Sequence, residues 1–136
     1  MATISWNPQT MATGIPEVDA QHQEWIRRYN QFDDAIHKGK GIEVVQSTLD
    51  FFIEYADVHF KYEESVMDEL HCPAAKDNRA NHEHIRNILN GYKSHANKCG
   101  CSISDVHGLK IRMEEWLVKH ILTIDIQLRD SQTIDE

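Results

Sequence analysis

Basic residues are scarce in this chain: 14 Lys and Arg stand against 22 Asp and Glu, for a formal net charge of −8. Nucleic acids and anionic membrane surfaces both demand clustered positive charge, so neither is an expected partner. Long apolar runs are missing as well. No segment approaches eighteen consecutive apolar residues, and the opening MATISWNPQTMATGIPEVDAQHQEW has no basic stretch followed by an apolar one. Membrane insertion and secretion are therefore not expected, and the expected compartment is the cytoplasm. Cysteine is limited to Cys72, Cys99 and Cys101, with no CxxC pair, which speaks against a disulfide framework or a thiolate zinc site. Cys99 and Cys101, on either side of Gly100, read as loop thiols rather than as a soft-metal pair. No β-hairpin signal, internal repeat or low-complexity segment is found.

What is present points to a single all-helical domain spanning 1–136. Its 136 residues, 40% hydrophobic and 26% charged, suffice for a core without covalent staples. Pro8, Gly14 and Pro16 break up the first eighteen residues, which read as an irregular arm. From Asp19 to about Lys38, Trp25, Ile26, Tyr29, Phe32 and Ile36 recur at helical steps, and Gly39 and Gly41 end the pattern. A second helix is expected from about Ile42 to Leu70, with Pro73 beyond it, and a third from about Ala74 to Lys98, closed by Gly100. A fourth begins near Ser104, capped by Ser104 or Asp105, and carries Val106, Leu109, Met113, Trp116, Leu117 and Ile121. Short Gly- and Pro-containing turns between amphipathic helices imply an antiparallel up-down-up-down four-helix bundle, with any cofactor between facing helices. Residues from about 126 to 136 read as a frayed tail.

Histidine is abundant, with nine residues. His59 and Glu63, four apart on the second helix, are separated by about 400° of turn and share one face beside the apolar stripe, where they can share a metal. His22, His82 and His120 lie near the apolar sides of the other three helices. Any one of them alone reads more readily as a hydrogen-bonded core histidine, but one on each helix, accompanied by Glu63 and Asp125, reads as a metal site. Imidazole and carboxylate donors suit iron first, with zinc or manganese as alternatives. No Glu has a His three residues later, so the carboxylate-rich ferritin pattern is excluded. A histidine-rich set favours reversible ligand binding over storage chemistry. His37, His71, His95 and His107 fall near helix ends or loops and read as surface residues, and KYEESVMDE reads as mostly solvated helix surface.

The runs TGIPEVDAQHQEW, YADVHFKYEESVM and WLVKHILTID together resemble the bacterial hemerythrins, from Trp6 to about Asp125. The resemblance implies a four-helix bundle with two iron ions joined by an oxo or hydroxo bridge and two carboxylates, and dioxygen as the ligand. By position, His22 and His59 would hold the iron open to oxygen, Glu63 and Asp125 would bridge, and His82 and His120 would belong to the second iron. Trp116, Leu117 and Ile121 resemble the family's apolar oxygen pocket, although plain bundle core explains them equally well. Helical spacing alone does not find Asp125: five residues after His120, it is turned by about 500° on an ideal helix.

One position departs from the family pattern. Where the family has HxxxH on the third helix, this chain reads Asn78 and His82, and no HxxxH occurs anywhere. His84, about 200° around the helix from His82, faces the other way. Asn78 offers a neutral carbonyl oxygen, a weaker donor than imidazole. The expected function, implied by the resemblance, is a non-enzymatic O2 carrier, buffer or delivery protein whose oxygen-accepting partner is unidentified. The alternatives are a di-iron or mono-iron enzyme acting on peroxide or nitric oxide, or a metal-storage or sensing bundle.

Overall fold

The computed structural model describes residues 4–125 and 127–131, with the side chains of Ile124, Asp125, Asp130 and Ser131 outside the described part. Its elements in order are α1 (Pro8–Met11), α2 (Pro16–His37), α3 (Gly41–Glu69), α4 (Ala75–Cys99), α5 (Ile103–His120), a π-helical turn (Ile121–Asp125) and α6 (Gln127–Ser131). There is no strand among the described residues. The four long helices form the antiparallel bundle expected from the periodicity: α2 packs on α3, α3 on α4, α4 on α5, and α5 closes back onto α2.

Each helix is in register because its apolar stripe faces the same axis. Trp25, Ile26, Tyr29 and Phe32 of α2 meet Val45, Leu49, Phe52, Ala56 and Phe60 of α3, Ile85 and Leu89 of α4, and Val106, Leu109, Met113 and Leu117 of α5. Gly41 opens α3 beside Val106 of α5: a Cβ there would lie 2.8 Å from Val106 Cγ1, so only glycine fits without displacing it. Gly91, which weakens the helical pattern of α4, has open space around it and is accommodated in the helix.

Two boundaries differ from the sequence-based expectation. Helix α2 starts at Pro16 rather than Asp19, because proline's fixed φ suits the first helical turn and its missing N–H is not needed there. Asp19 is instead an anchor for the arm, accepting from the backbone N–H of Thr13 at 2.7 Å and from its hydroxyl at 2.8 Å. Helix α5 is capped by Ser102, not by Ser104 or Asp105. The Ser102 hydroxyl accepts from the Asp105 N–H, and the Asp105 carboxylate accepts from the Ser102 N–H, closing a capping box.

The two ends of the chain hold more structure than their composition announces. Residues 127–131 form α6 because Leu128 buries itself in a second apolar cluster with Val18, Met67, Cys72 and Ala74. Arg129 donates from Nε and a terminal guanidinium nitrogen to the carbonyl of Ala12 at 2.9 and 2.6 Å, tying α6 to the N-terminal arm. All three cysteines are free. Among the described residues no helix is long and apolar enough to cross a membrane. The two apolar clusters leave a polar layer between them, and His22, His59, His82 and His120 occupy it.

Candidate metal centre

Val18 and Trp25 bracket His22 on α2, while Phe60 and Met67 bracket Glu63 on α3, so packing on both sides fixes the height of this polar layer in the bundle. Within it, His22, His59, Glu63, His82 and His120 are all buried. Glu63 is at the centre. Its Oε2 lies 3.0 Å from His22 Nε2 and 3.5 Å from His59 Nε2. Its Oε1 lies 3.0 Å from His82 Nε2 and 3.6 Å from His120 Nε2. One carboxylate therefore presents one oxygen to each of two imidazole pairs. Each pair forms with it a potential three-donor set whose ligand atoms lie within 4.8 Å of one another.

Aromatic neighbours fix the ring planes. Phe60 stacks on His82 with centroids 3.7 Å apart and planes within 3°, and Trp116 stacks on His120 at 4.5 Å and 13°. Trp116 is itself held by a hydrogen bond from its Nε1 to the carbonyl of Asn81 at 3.2 Å. The far nitrogens of two imidazoles are also engaged. His59 Nδ1 contacts Gln21 Oε1, and His82 Nδ1 lies 2.9 Å from Glu64 Oε2. With a metal bound, an Nδ1–H donated outward would leave the Nε2 lone pair aimed at the centre, the orientation that metal-bound histidines use.

Electrostatics favour a cation here. Burial pushes the His59 imidazole down to about 3, so it stays neutral near neutral pH. Burial alone would raise the Glu63 carboxyl, but hydrogen bonds from His120, His22 and His82 outweigh it and hold the group ionised, well below its usual range. His82 faces Glu64 with Nδ1 and Glu63 with Nε2, so it lies between two carboxylates. Neutral nitrogen donors around an anionic oxygen are what a divalent iron, zinc or manganese ion takes.

Asn78 is fully buried on α4, one turn before His82 and on the same face. His84 is exposed, as are His37, His71, His95 and His107. Trp116, Leu117 and Ile121 line a narrow cavity together with His22, Trp25, His59 and His120, with no room in it for a water-sized sphere. The side chain of Asp125 lies outside the described residues. Its backbone ends the π-helical turn that begins at Ile121, so the ideal-helix rotation that argued against this position does not apply. Gln21 and Glu64 escaped the sequence reading. Each adjoins a candidate donor in sequence, but their contacts cross to another helix, which spacing along one helix does not reveal.

The comparisons agree with this geometry. Residues 13–128 match the hemerythrin HHE cation binding domain. The chain belongs to the hemerythrin family. It is 26% identical to the bacteriohemerythrin of Pseudomonas aeruginosa (strain LESB58) over 92% of this chain and 78% of that one. It is 25% identical to the bacteriohemerythrin of Methylococcus capsulatus, covering 92% and 93% of the two chains. A crystal structure of a hemerythrin point mutant superposes with a TM-score of 0.80 at 21% identity, covering 95% of this chain and 99% of that one, which shows a shared fold. The His/Glu cluster lies inside the matched cation-binding domain, which supports it as the candidate metal-binding site.

A pH dependence follows for the metal-free protein. Unfolded His59 protonates near 6.5, whereas the folded imidazole resists protonation down to about 3. Glu63, held below its ordinary 4.5 when folded, likewise takes its proton first in the unfolded chain. Both groups make the unfolded state bind more protons as pH falls, so stability is greatest above about pH 6.5 and declines below it. The urea midpoint of the metal-free protein should fall steadily from pH 7 to pH 4. A flat or rising midpoint would contradict the assignment of a neutral His59 beside an ionised Glu63.

Proposed function

We propose that this hemerythrin-family chain binds dioxygen reversibly at a di-iron centre and serves as an oxygen carrier, buffer or delivery protein rather than an enzyme. The division of Glu63 between two imidazole pairs carries the proposal, since it would give two adjacent metal positions joined by a shared carboxylate. His22, His59 and Glu63 Oε2 would hold one ion. His82, His120 and Glu63 Oε1 would hold the other, with Asn78 where the family places an imidazole and Asp125 as a second bridge. Iron would supply the electrons for reversible capture of O2.

The protein's own contribution is enclosure. Trp25, Trp116, Leu117 and Ile121 surround the cavity beside His22 and His59, and the lining contains no hydroxyl or carboxyl side chain. A bound ligand there would be shielded from bulk water, which favours release over turnover. Two irons per chain, with a visible absorption band that appears in air and vanishes on degassing, are the expected result. Sustained consumption of peroxide or nitric oxide would instead support an enzyme, and one metal or none would end the di-iron reading.

A further inference from the structure

Two outward contacts of the imidazole layer, those of His59 and His82, are chemically unequal. His59 is backed by the neutral amide of Gln21, whereas His82 is backed by the carboxylate of Glu64. Glu64 is mostly buried, with a side chain 22% exposed, and Arg79 Nε lies 3.7 Å from its other oxygen. Arg79 also pairs with Asp68 on the following turn of α3, so the guanidinium spans two carboxylates and holds Glu64 against α4. The charged backing therefore falls on the same half of the site that carries Asn78. An imidazole whose Nδ1–H points at a carboxylate becomes a stronger donor at Nε2, because the nearby negative charge stabilises the proton on the far nitrogen.

We propose that Glu64 is a positioning residue for His82 that strengthens the His82–His120 metal position, offsetting the weak donor that Asn78 places there. This rests on the di-iron reading above. It differs from an ordinary surface ion pair in two respects: His82 is fully buried, and its two nitrogens face two different carboxylates. Gln21 cannot do the same for His59, since an amide oxygen orients the ring without adding charge. The asymmetry predicts that loss of the Glu64 charge affects one metal position and spares the other.

The test is anaerobic titration of the metal-free full chain with Fe(II) against a competing chelator. It compares wild type, Glu64→Gln, and Glu64→Gln combined with Asn78→His. In Glu64→Gln the first equivalent should stay within about threefold of wild type and the second should weaken by roughly 10–100-fold. Adding Asn78→His should recover most of that loss. Helix content and urea midpoint of metal-free Glu64→Gln should match wild type, whereas a merely structural contact would lower the midpoint and weaken both equivalents together. An unaltered second equivalent, equal weakening of both, or failure of Asn78→His to restore binding overturns the inference. Wild type that takes up two Fe(II) but shows no oxygen-dependent band overturns the oxygen proposal and leaves this one standing, while uptake of fewer than two overturns both.

Discussion

Replacement of Glu63 by Gln is expected to release both metal equivalents together. The carboxylate is fully buried, and each of its oxygens is the anionic member of a separate donor set. The amide keeps the shape but removes the charge, and it turns one oxygen into an N–H donor facing an imidazole pair. Whichever way the amide is oriented, one pair meets a donor where it had an acceptor and the other keeps only a neutral oxygen. The loss should exceed the roughly 10–100-fold typical of removing an outer-sphere partner. A change at His120 acts differently, because that imidazole lies 3.6 Å from Oε1 and belongs to one set alone. Iron per chain after gel filtration, with helix content as a check on folding, distinguishes the two. If Glu63→Gln kept one equivalent at wild-type affinity, the carboxylate would serve a single position and the proposed bridge would be wrong.

The bundle was legible in the sequence because its core follows helical periodicity and because Gly39, Pro73 and Gly100 stand beside the turns. What periodicity missed depends on contacts between distant parts of the chain. Leu128 lies in a stretch that alternates apolar with polar residues and shows no helical stripe, and its burial against Val18, Met67, Cys72 and Ala74 is what anchors α6. The start of α2 and the cap of α5 are local, yet both lie just outside the apolar stripe from which helices are recognised.

The site divides along the same line. His59 and Glu63 share a face by simple spacing, and His22, His82 and His120 were singled out because each lies near the apolar side of its own helix. The structure brings all five together, but no sequence argument could assign one oxygen of Glu63 to each imidazole pair. Glu64 shows the limit most clearly. Within KYEESVMDE it looks like one more solvated charge, and only the approach of α4 turns it toward His82. Asn78 was visible for the opposite reason: it interrupts a pattern, and its full burial shows that the departure lies inside the bundle rather than on its surface.

The second large effect is expected at Phe60, where core and site meet. The ring has no exposed surface. One neighbour is His82, stacked at 3.7 Å, another is Trp25 at 5.8 Å and 19°, and a third is Trp116, tilted at 5.7 Å. Phe60→Ala removes a large apolar side chain from a layer crossed by all four long helices, which should cost about 3–5 kcal/mol of stability. Against the roughly 5–15 kcal/mol available to a typical domain, that is enough to unfold a measurable fraction of a marginal chain. Phe60→Leu keeps most of the apolar volume and should cost about 1.5 kcal/mol or less. The pair of variants separates filling the core from orienting the imidazole. If stacking on Phe60 fixes the His82 ring plane, Phe60→Leu should weaken the second Fe(II) equivalent despite its small effect on urea unfolding of the metal-free protein. Equal second-equivalent affinity in Phe60→Leu and wild type would leave Phe60 a core residue only, with the orientation of His82 resting on Glu64.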